Sequence, residues 1–585
     1  MSVDDPNALN AAKLRGRAVA AARGDAPFDV LLTGGVIADV LTGQCRSADV
    51  GLVGPLIASC HPSGARSDAG SVIDATGATI APGLIDTHLH IESSMITPAV
   101  YGAALVARGV TTLVWDPHEL ANVAGRTGMD WALAAARAAP LRILCQAPSS
   151  VPSAPGFELA GAAFGADAIA ALLPDCPAGL AEVMDMRAVI DRAPAMRAIL
   201  QTTLDAGRAL NGHARGLSGP ALQAFVAAGI ASDHEITGPE DLLEKLAAGL
   251  WIEMRGSHPH LLPGFVAALN TLPQLPPTLT LCTDDVFADD LQTLGGLDGV
   301  FRQVVALGLP PLSALRAATW NAAQKIARPD LGLVAPGRRA DLVLLDDLAS
   351  FRVRQVLIDG GPPPVPEAVA PPPALSASVH LAPLAERDFT LTAKGRRVRL
   401  AAIQKPRFTE WAEREAEVVD GIIQRPPDAT WIAVVHRHGR GAPHPRMGLL
   451  TGWGTWQGAF ATTVSHDSHN LTVFGGAPAD MAAAANALIA SGGGMAVAVG
   501  GRVIAHLPLP IGGLLSEAPL NTIAEELGAL RTAMDRVLTW EPPLLTFKAL
   551  VGATLACNPG PHQTDLGIAD PHAGRLLPSP VLGPA

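Results

Sequence analysis

The sequence predicts an α/β chain built on a TIM-like (β/α)8 barrel, with a small β-sandwich made from both flanks of the barrel and a separate C-terminal α+β domain. Three observations predict it. Between residues 81 and 330, short apolar runs each end in a polar residue and give way to Ala- and Leu-rich helical stretches. The strand ends fall near His88, Asp116, Pro148, Glu182, His213, His234, Glu253 and Asp284, in steps of 28, 32, 34, 31, 21, 19 and 31 residues. A strand, its helix and their connections need roughly 30 residues, and eight such units over about 200–250 residues close a barrel. A doubly wound sheet also alternates, but it gives no reason for eight polar strand ends.

The elements follow in chain order. Residues 1–25 hold a short amphipathic helix over 8–24 (ALNAAKLRGRAVAAARG). Residues 26–80 carry β-rich runs, FDVLLTGGVIADV and SADVGLVGPLIASC, separated by Gly and Asp, which suits a small sandwich. The barrel occupies 81–330. Residues 331–360 return to β character (GRRADLVLLDD, VRQVLIDGG) and complete the sandwich. The Pro-rich stretch within 361–379 is a stiff linker. Residues 380–575 form the C-terminal domain, with β-like segments and helices near 478–491 and 517–538, and 576–585 are a tail. No internal repeat joins the halves.

Composition narrows the class. Apolar residues make up 49% of the 585 and charged residues 16%, which suits a large, well-buried enzyme and argues against disorder. The net charge of −12, with no basic run, excludes nucleic acid and anionic membrane surfaces as expected partners. Six scattered cysteines contain no CxxC pair and suggest neither a disulfide framework nor a zinc finger. The opening MSVDDPNALN has acids where a secretory signal has bases, and no apolar run reaches about 20 residues, so the expected location is the cytoplasm.

The chemistry concentrates in Asp86-Thr-His88-Leu-His90, which closes the apolar run ATIAPGLI. Residues i and i+2 of a strand point the same way, so His88 and His90 can share one metal. Imidazole and carboxylate are the donors expected for Zn, Mn or Fe(II). Taken alone, His-x-His is as well explained by two surface histidines. The other strand ends add Glu182, His213, His234 and Asp284, all on the face where barrel enzymes place their sites. Six such side chains on one rim can hold two divalent ions, with Glu182 bridging. Such ions bring the pKa of water to about 7, and Asp284 can take the proton and pass it to a leaving group.

The motifs PGLIDTHLHIESSMITP (82–98), WDPHELANV (115–123), SSVP (149–152), LAEVMD (180–185), NGHARGLSG (211–219), SDHE (232–235) and LCTDD (281–285) resemble the bacterial-type adenine deaminase family of the amidohydrolase superfamily. SHDSHN (465–470) and PLPIGGLLS (508–516) resemble that family's second domain. The resemblance covers about residues 25–550. It implies hydrolysis of adenine to hypoxanthine and ammonia at a two-metal centre of the Mn(II) or Fe(II) type, with Zn(II) as the alternative. By motif position His88, His90 and Asp284 bind one ion, His213 and His234 the other, and Glu182 bridges. Asp116 and Glu119 are assigned to substrate positioning or proton work, Glu235 joins the catalytic group, and Ser93, Ser94, His118, Asp285 and Arg255 are assigned as substrate contacts. The competing account of DPHE is a helix N-cap with a solvated acid. SHDSHN, with His466 and His469, is read as hydrogen bonding within a loop, with a lid or an extra metal site as alternatives; HRHG (436–439) shares that ambiguity.

The chain departs from the family at WIEMRGSHPH, at VFADD and in the tail 557–578, while every assigned ligand is spared. A related amidohydrolase acting on another purine or a cyclic amide is the alternative function. A non-catalytic ligand-binding homologue would have lost ligands, and none is lost. A homodimer is expected.

Overall fold

The computed structural model describes residues 9–406, 408–540 and 546–585. The first eight residues, on which the expectation about a secretory signal rests, lie outside the described residues, as does the first position of the 8–24 helix. The helix itself runs Ala12–Arg23 and ends at Gly24, whose φ of 90° lets its N–H return to the last turn.

Two sheets follow. Leu56–His61, Asp49–Val53, Phe28–Thr33 and Ala69–Asp74 form one; Arg352–Leu357, Leu342–Asp347, Thr79–Pro82, Val36–Asp39 and Gln44–Ser47 form the other. Leu342–Asp347 pairs antiparallel with Thr79–Pro82, so chain from both sides of residues 84–330 shares one sheet. Their facing residues, among them Ile37, Val50, Ile80 and Leu342, make a core of their own.

Eight parallel strands come between: β1 (Leu84–Leu89), β2 (Val110–Trp115), β3 (Arg142–Cys145), β4 (Leu180–Val183), β5 (Leu210–Gly212), β6 (Ser232–Asp233), β7 (Trp251–Arg255) and β8 (Leu279–Cys282). Ladders join β1 to β2, β2 to β3, β4 to β5, β6 to β7 and β7 to β8. Single parallel bridges supply the remaining neighbours: Ala147 with Leu180, Leu210 with Ile230, and Leu89 with Asp284. The pairing therefore runs round and returns to β1. Strands buried on both faces read as continuous apolar runs rather than alternating ones, and every residue of β1, β2, β3 and β8 is buried. Helices between them, such as Pro98–Val106, Pro194–Asp205 and Pro239–Ala247, open on proline, whose missing N–H is no loss in a first turn.

One strand end differs from the sequence expectation. β7 continues to Arg255, and Glu253 lies within it, where Lys325 Nζ donates to it at 2.6 Å. Arg255, two residues on and on the same face, reaches the rim instead.

The Pro-rich stretch lies against the helix His118–Arg137: Trp131 Nε1 donates to the Val369 carbonyl and Glu367 N to the Ala138 carbonyl. A ten-stranded sheet follows, with helices Pro478–Ser491 and Leu520–Val537. Residues 576–585, expected as a tail, contribute a strand to it. Val581–Pro584 pairs with Val398–Leu400, while Ile403 and Gln404 further along the same strand pair with Leu450 and Thr451. The chain end thus covers backbone groups that would otherwise form an open sheet edge. Among the described residues no helix is long and apolar enough to cross a membrane.

Candidate metal centre

The ends of four strands of the ring, together with the turn after β8, bring the six ligand-type side chains together. His88 lies within β1 and His90 just after it; Glu182 lies in β4, His213 and His234 follow β5 and β6, and Asp284 follows β8 with φ 59°. All six are at most 4% exposed. Glu182 divides its carboxylate between two groups. Oε1 faces His90 Nε2 at 3.3 Å and His88 Nε2 at 4.0 Å; Oε2 faces His213 Nδ1 at 2.5 Å and His234 Nε2 at 3.3 Å. Asp284 Oδ1 completes the first group, 3.7 Å from His88 Nε2 and 3.6 Å from His90 Nε2.

These residues fit divalent cations. His88 Nε2, which faces both Glu182 and Asp284, is buried with no hydrogen-bond partner, an arrangement that is costly unless an ion or water occupies the space. His90 Nδ1 faces the Asp116 carbonyl at 3.2 Å, which leaves Nε2 for a ligand role. Burial works to raise the Glu182 carboxyl, but the surrounding imidazoles hold it well below the usual range. Burial likewise opposes ionisation of Asp284, and Arg255 and His88 outweigh it. The two carboxylates are charged, as ligands must be.

The neighbours of Asp284 are equally fixed. Its Oδ2 accepts from Arg255 Nη1 at 2.8 Å and from Ser257 Oγ at 2.7 Å. Arg255 also grips Glu235, Nη1 to Oε1 at 2.5 Å and Nη2 to Oε2 at 2.8 Å, while Arg215 Nη1 reaches Glu235 Oε2 at 2.5 Å. Burial alone would favour a neutral Glu235, but the two guanidinium groups hold it well below its ordinary value. Both Glu235 oxygens are thus taken by guanidinium groups, so the side chain is placed to hold Arg255 beside the centre.

A cavity of about 110 Å³ opens onto the centre. Of the expected substrate contacts, His118, Arg255 and Asp285 line it, and so does Glu235. Ser93 and Ser94 do not. Ser93 Oγ donates to Asp285 Oδ1 at 2.5 Å, and Ser94 Oγ turns back to the Ile91 carbonyl at 2.6 Å, as short hydroxyl side chains in tight turns do. Asp116 and Glu119 stand behind the lining. Asp116 accepts from His118 N at 3.2 Å and lies 2.9 Å from His118 Nδ1, so it caps the helix start and aims the imidazole at once. Glu119 lies 3.4 Å from His466 Nδ1. Glu119 is buried, so the solvated-cap account of DPHE does not hold for it.

Asp467, Lys548 and Arg215 were not singled out from the sequence, and His466 was favoured for another role. His466 belonged to a run read as a hydrogen-bonded loop, yet His466 and Asp467 line the cavity. Lys548 lines it too and donates to the Ser257 carbonyl at 2.6 Å and the Asp285 carbonyl at 3.3 Å. Arg215 follows the ligand His213 by two residues, a proximity that was available as a signal. Lys548 carried no motif to mark it. HRHG, by contrast, is structural: His436 Nδ1 lies 3.1 Å from Asp565, and buried Arg437 donates to the His469, Ser378 and Gly512 carbonyls.

Similarity to known proteins extends over nearly the whole chain. Residues 79–362 match the model of the amidohydrolase family, and residues 406–575 that of the adenine deaminase C-terminal domain. The chain is 59% identical to adenine deaminase 2 of Rhizobium meliloti, over 99% of each chain. It is 58% identical to adenine deaminase 2 of Agrobacterium fabrum, over 99% of this chain and 98% of the relative. It is 49% identical to an adenine deaminase of Klebsiella pneumoniae, over 97% of this chain and 96% of the relative.

Proposed function

The chain belongs to the adenine deaminase family of amidohydrolases, and on that premise we propose that it converts adenine and water to hypoxanthine and ammonia. The observation that carries the reading is 59% identity sustained over 99% of both chains. The buried convergence of the six ligand-type side chains supports it independently.

Amidohydrolases work with a divalent metal centre. His88, His90 and Asp284 would hold one cation and His213 and His234 a second, with Glu182 offering one carboxylate oxygen to each group. Manganese(II) or iron(II) fits these nitrogen and oxygen donors, with zinc(II) the alternative. Bound there, such ions supply a water that ionises near neutral pH.

The remaining work falls to the chain's own groups. Asp284 Oδ1 takes a proton from the attacking water and passes it to the departing amine, while Arg255 and Ser257 fix the carboxylate through Oδ2. Glu235 positions Arg255. Ser93 holds Asp285, which faces the purine as a hydrogen-bond acceptor. Asp116 aims His118, and Glu119 places its carboxylate 3.4 Å from His466 Nδ1. We assign the helix Ala12–Arg23 to a separate N-terminal element, 26–80 with 331–360 to a β-sandwich, 81–330 to a (β/α)8 barrel, 361–379 to a linker, and the chain from residue 380 on to a C-terminal α+β domain that includes the strand Val581–Pro584. The protein is assigned as a homodimer, which light scattering tests.

The test of the reaction is adenine turnover, followed by ultraviolet absorbance and ammonia release, after loading with Mn(II) or Fe(II). Steady conversion to hypoxanthine is expected. No conversion at full metal occupancy overturns the substrate assignment.

A further inference from the structure

A second group of metal-type donors lies beside the first, where the rim meets the C-terminal sheet. His118 and Glu119 open the helix after β2; His466 and Asp467 lie between the strands Ala459–Thr462 and Leu471–Gly475. His466 Nδ1 is 3.4 Å from Glu119 Oε1, and Asp467 Oδ1 is 3.5 Å from both His118 Nε2 and His466 Nδ1. Ligating atoms of His118, Glu119 and His466 all fall within 4.8 Å of one another. His118 Nδ1 is occupied by Asp116, so Nε2 is the nitrogen this group receives.

These gaps exceed the usual hydrogen-bond range of about 2.7–3.2 Å. They suit an ion in between: two ligands about 2.1 Å from a tetrahedral cation stand about 3.4 Å apart. The first centre shows the same spacing, with Glu182 3.3 Å from His90 and 3.3 Å from His234. The donors also lack other partners. Both oxygens of Glu119, which is 1% exposed, are without a hydrogen bond, as are His118 Nε2 and Asp467 Oδ2. An ionised carboxylate so placed is costly unless a cation faces it.

We propose that His118, Glu119, His466 and Asp467 bind a third divalent cation of the zinc, manganese or iron class. Two imidazole nitrogens and two carboxylate oxygens suit those ions; calcium and magnesium favour oxygen alone. The ion joins the loop after β2 to the C-terminal sheet, and because His118 and His466 both line the cavity, it fixes one wall of it. This rests on the two-cation reading only for the identity of the first two ions.

The test counts metal in the full-length chain saturated with Mn(II) or Zn(II) and freed of excess. Elemental analysis is expected to give three equivalents for the natural sequence and two for the double variant Glu119→Gln, His466→Gln. Two equivalents in the natural sequence, or three in the variant, overturn the proposal. Should the variant fail to fold, an anomalous-difference map of the natural protein decides, by a peak within about 2.3 Å of His118 Nε2 or its absence. Adenine turnover with two ions and no third peak removes the third site alone. An empty six-residue centre removes the reaction as well.

Discussion

Arg255 holds Glu235 through both arms of its guanidinium, Nη1 to Oε1 at 2.5 Å and Nη2 to Oε2 at 2.8 Å. Both side chains are under 10% exposed, so neither can exchange its partner for bulk water. The same Nη1 reaches Asp284 Oδ2, which ties the fork to the carboxylate proposed to move the proton.

Arg255→Lys is therefore not a conservative change. A single ammonium cannot reproduce a planar fork with two carboxylate partners. Turnover of adenine should fall by about 100-fold or more, the scale of a lost general acid–base group. Arg255→Met should in addition cost about 3–5 kcal/mol of stability, because Glu235 and Asp284 are left buried with one cation fewer. Arg215 stays on Glu235 and keeps the cost toward the lower figure. Steady-state kinetics with thermal unfolding of both variants checks this; wild-type kcat in the Lys variant rules out the positioning role.

Chelation should abolish activity, and added Mn(II) or Fe(II) should restore it. The pH dependence of reloading follows from His234. Burial disfavours its charged form, yet Glu182 outweighs burial and raises it to about 9 in the metal-free chain. A proton must leave before the imidazole can serve as a ligand. Metal affinity should therefore climb steadily between pH 6 and 9. Titration of the stripped protein with Mn(II) at several pH values measures it, and a flat profile contradicts the ligand role of His234.

Much of this site was legible in the sequence because strand ends advertise themselves: an apolar run must stop, and His88, Glu182, His213, His234 and Asp284 mark where. The repeat of about 30 residues carried the ring for the same reason. Glu253 misled because a buried strand can hold a charge when a distant lysine, Lys325, meets it, and no local pattern encodes that pairing. Ser94 misled because proximity to a motif says nothing about which way a hydroxyl turns. Lys548 and Asp467 reach the cavity from residues more than 180 positions beyond Asp284, and spacing alone carries no information about such contacts. The final strand Val581–Pro584 was missed because its reason for forming is an open edge on a strand far earlier in the chain.

Lys548 provides a test of the C-terminal contribution. Its Nζ spans the Ser257 and Asp285 carbonyls, and burial lowers its affinity for the proton. Lys548→Met keeps the length of the side chain and removes the two hydrogen bonds that draw residues 546–562 over the cavity. The change touches no ligand, so metal content should be unchanged. KM for adenine should rise about tenfold, which corresponds to about 1.4 kcal/mol, with a smaller change in kcat. Equal loss in kcat with KM unaltered would assign Lys548 to the reaction itself.

Glu158 gives the cleanest pH effect on stability, because it lies outside the metal centre. It is 1% exposed, and its Oε1 accepts from Ser153 Oγ at 2.8 Å and Ala154 N at 2.9 Å, while Oε2 has no partner. Burial, reinforced by Asp467, raises its carboxyl from 4.5 to about 8. The folded chain therefore keeps a proton that the unfolded chain releases above about pH 4.3. Its contribution to stability is complete below that point and declines as pH rises toward about 8, then levels off. The loss amounts to a few kcal/mol, at about 1.4 kcal/mol per pH unit. Glu158→Gln carries no titrating proton and keeps the acceptor for Ser153 and Ala154. The variant should match the natural protein near pH 5 and melt at higher temperature near pH 8. Parallel melting curves at the two pH values decide it, and an unchanged difference between the proteins would mean that Glu158 is ionised in the fold.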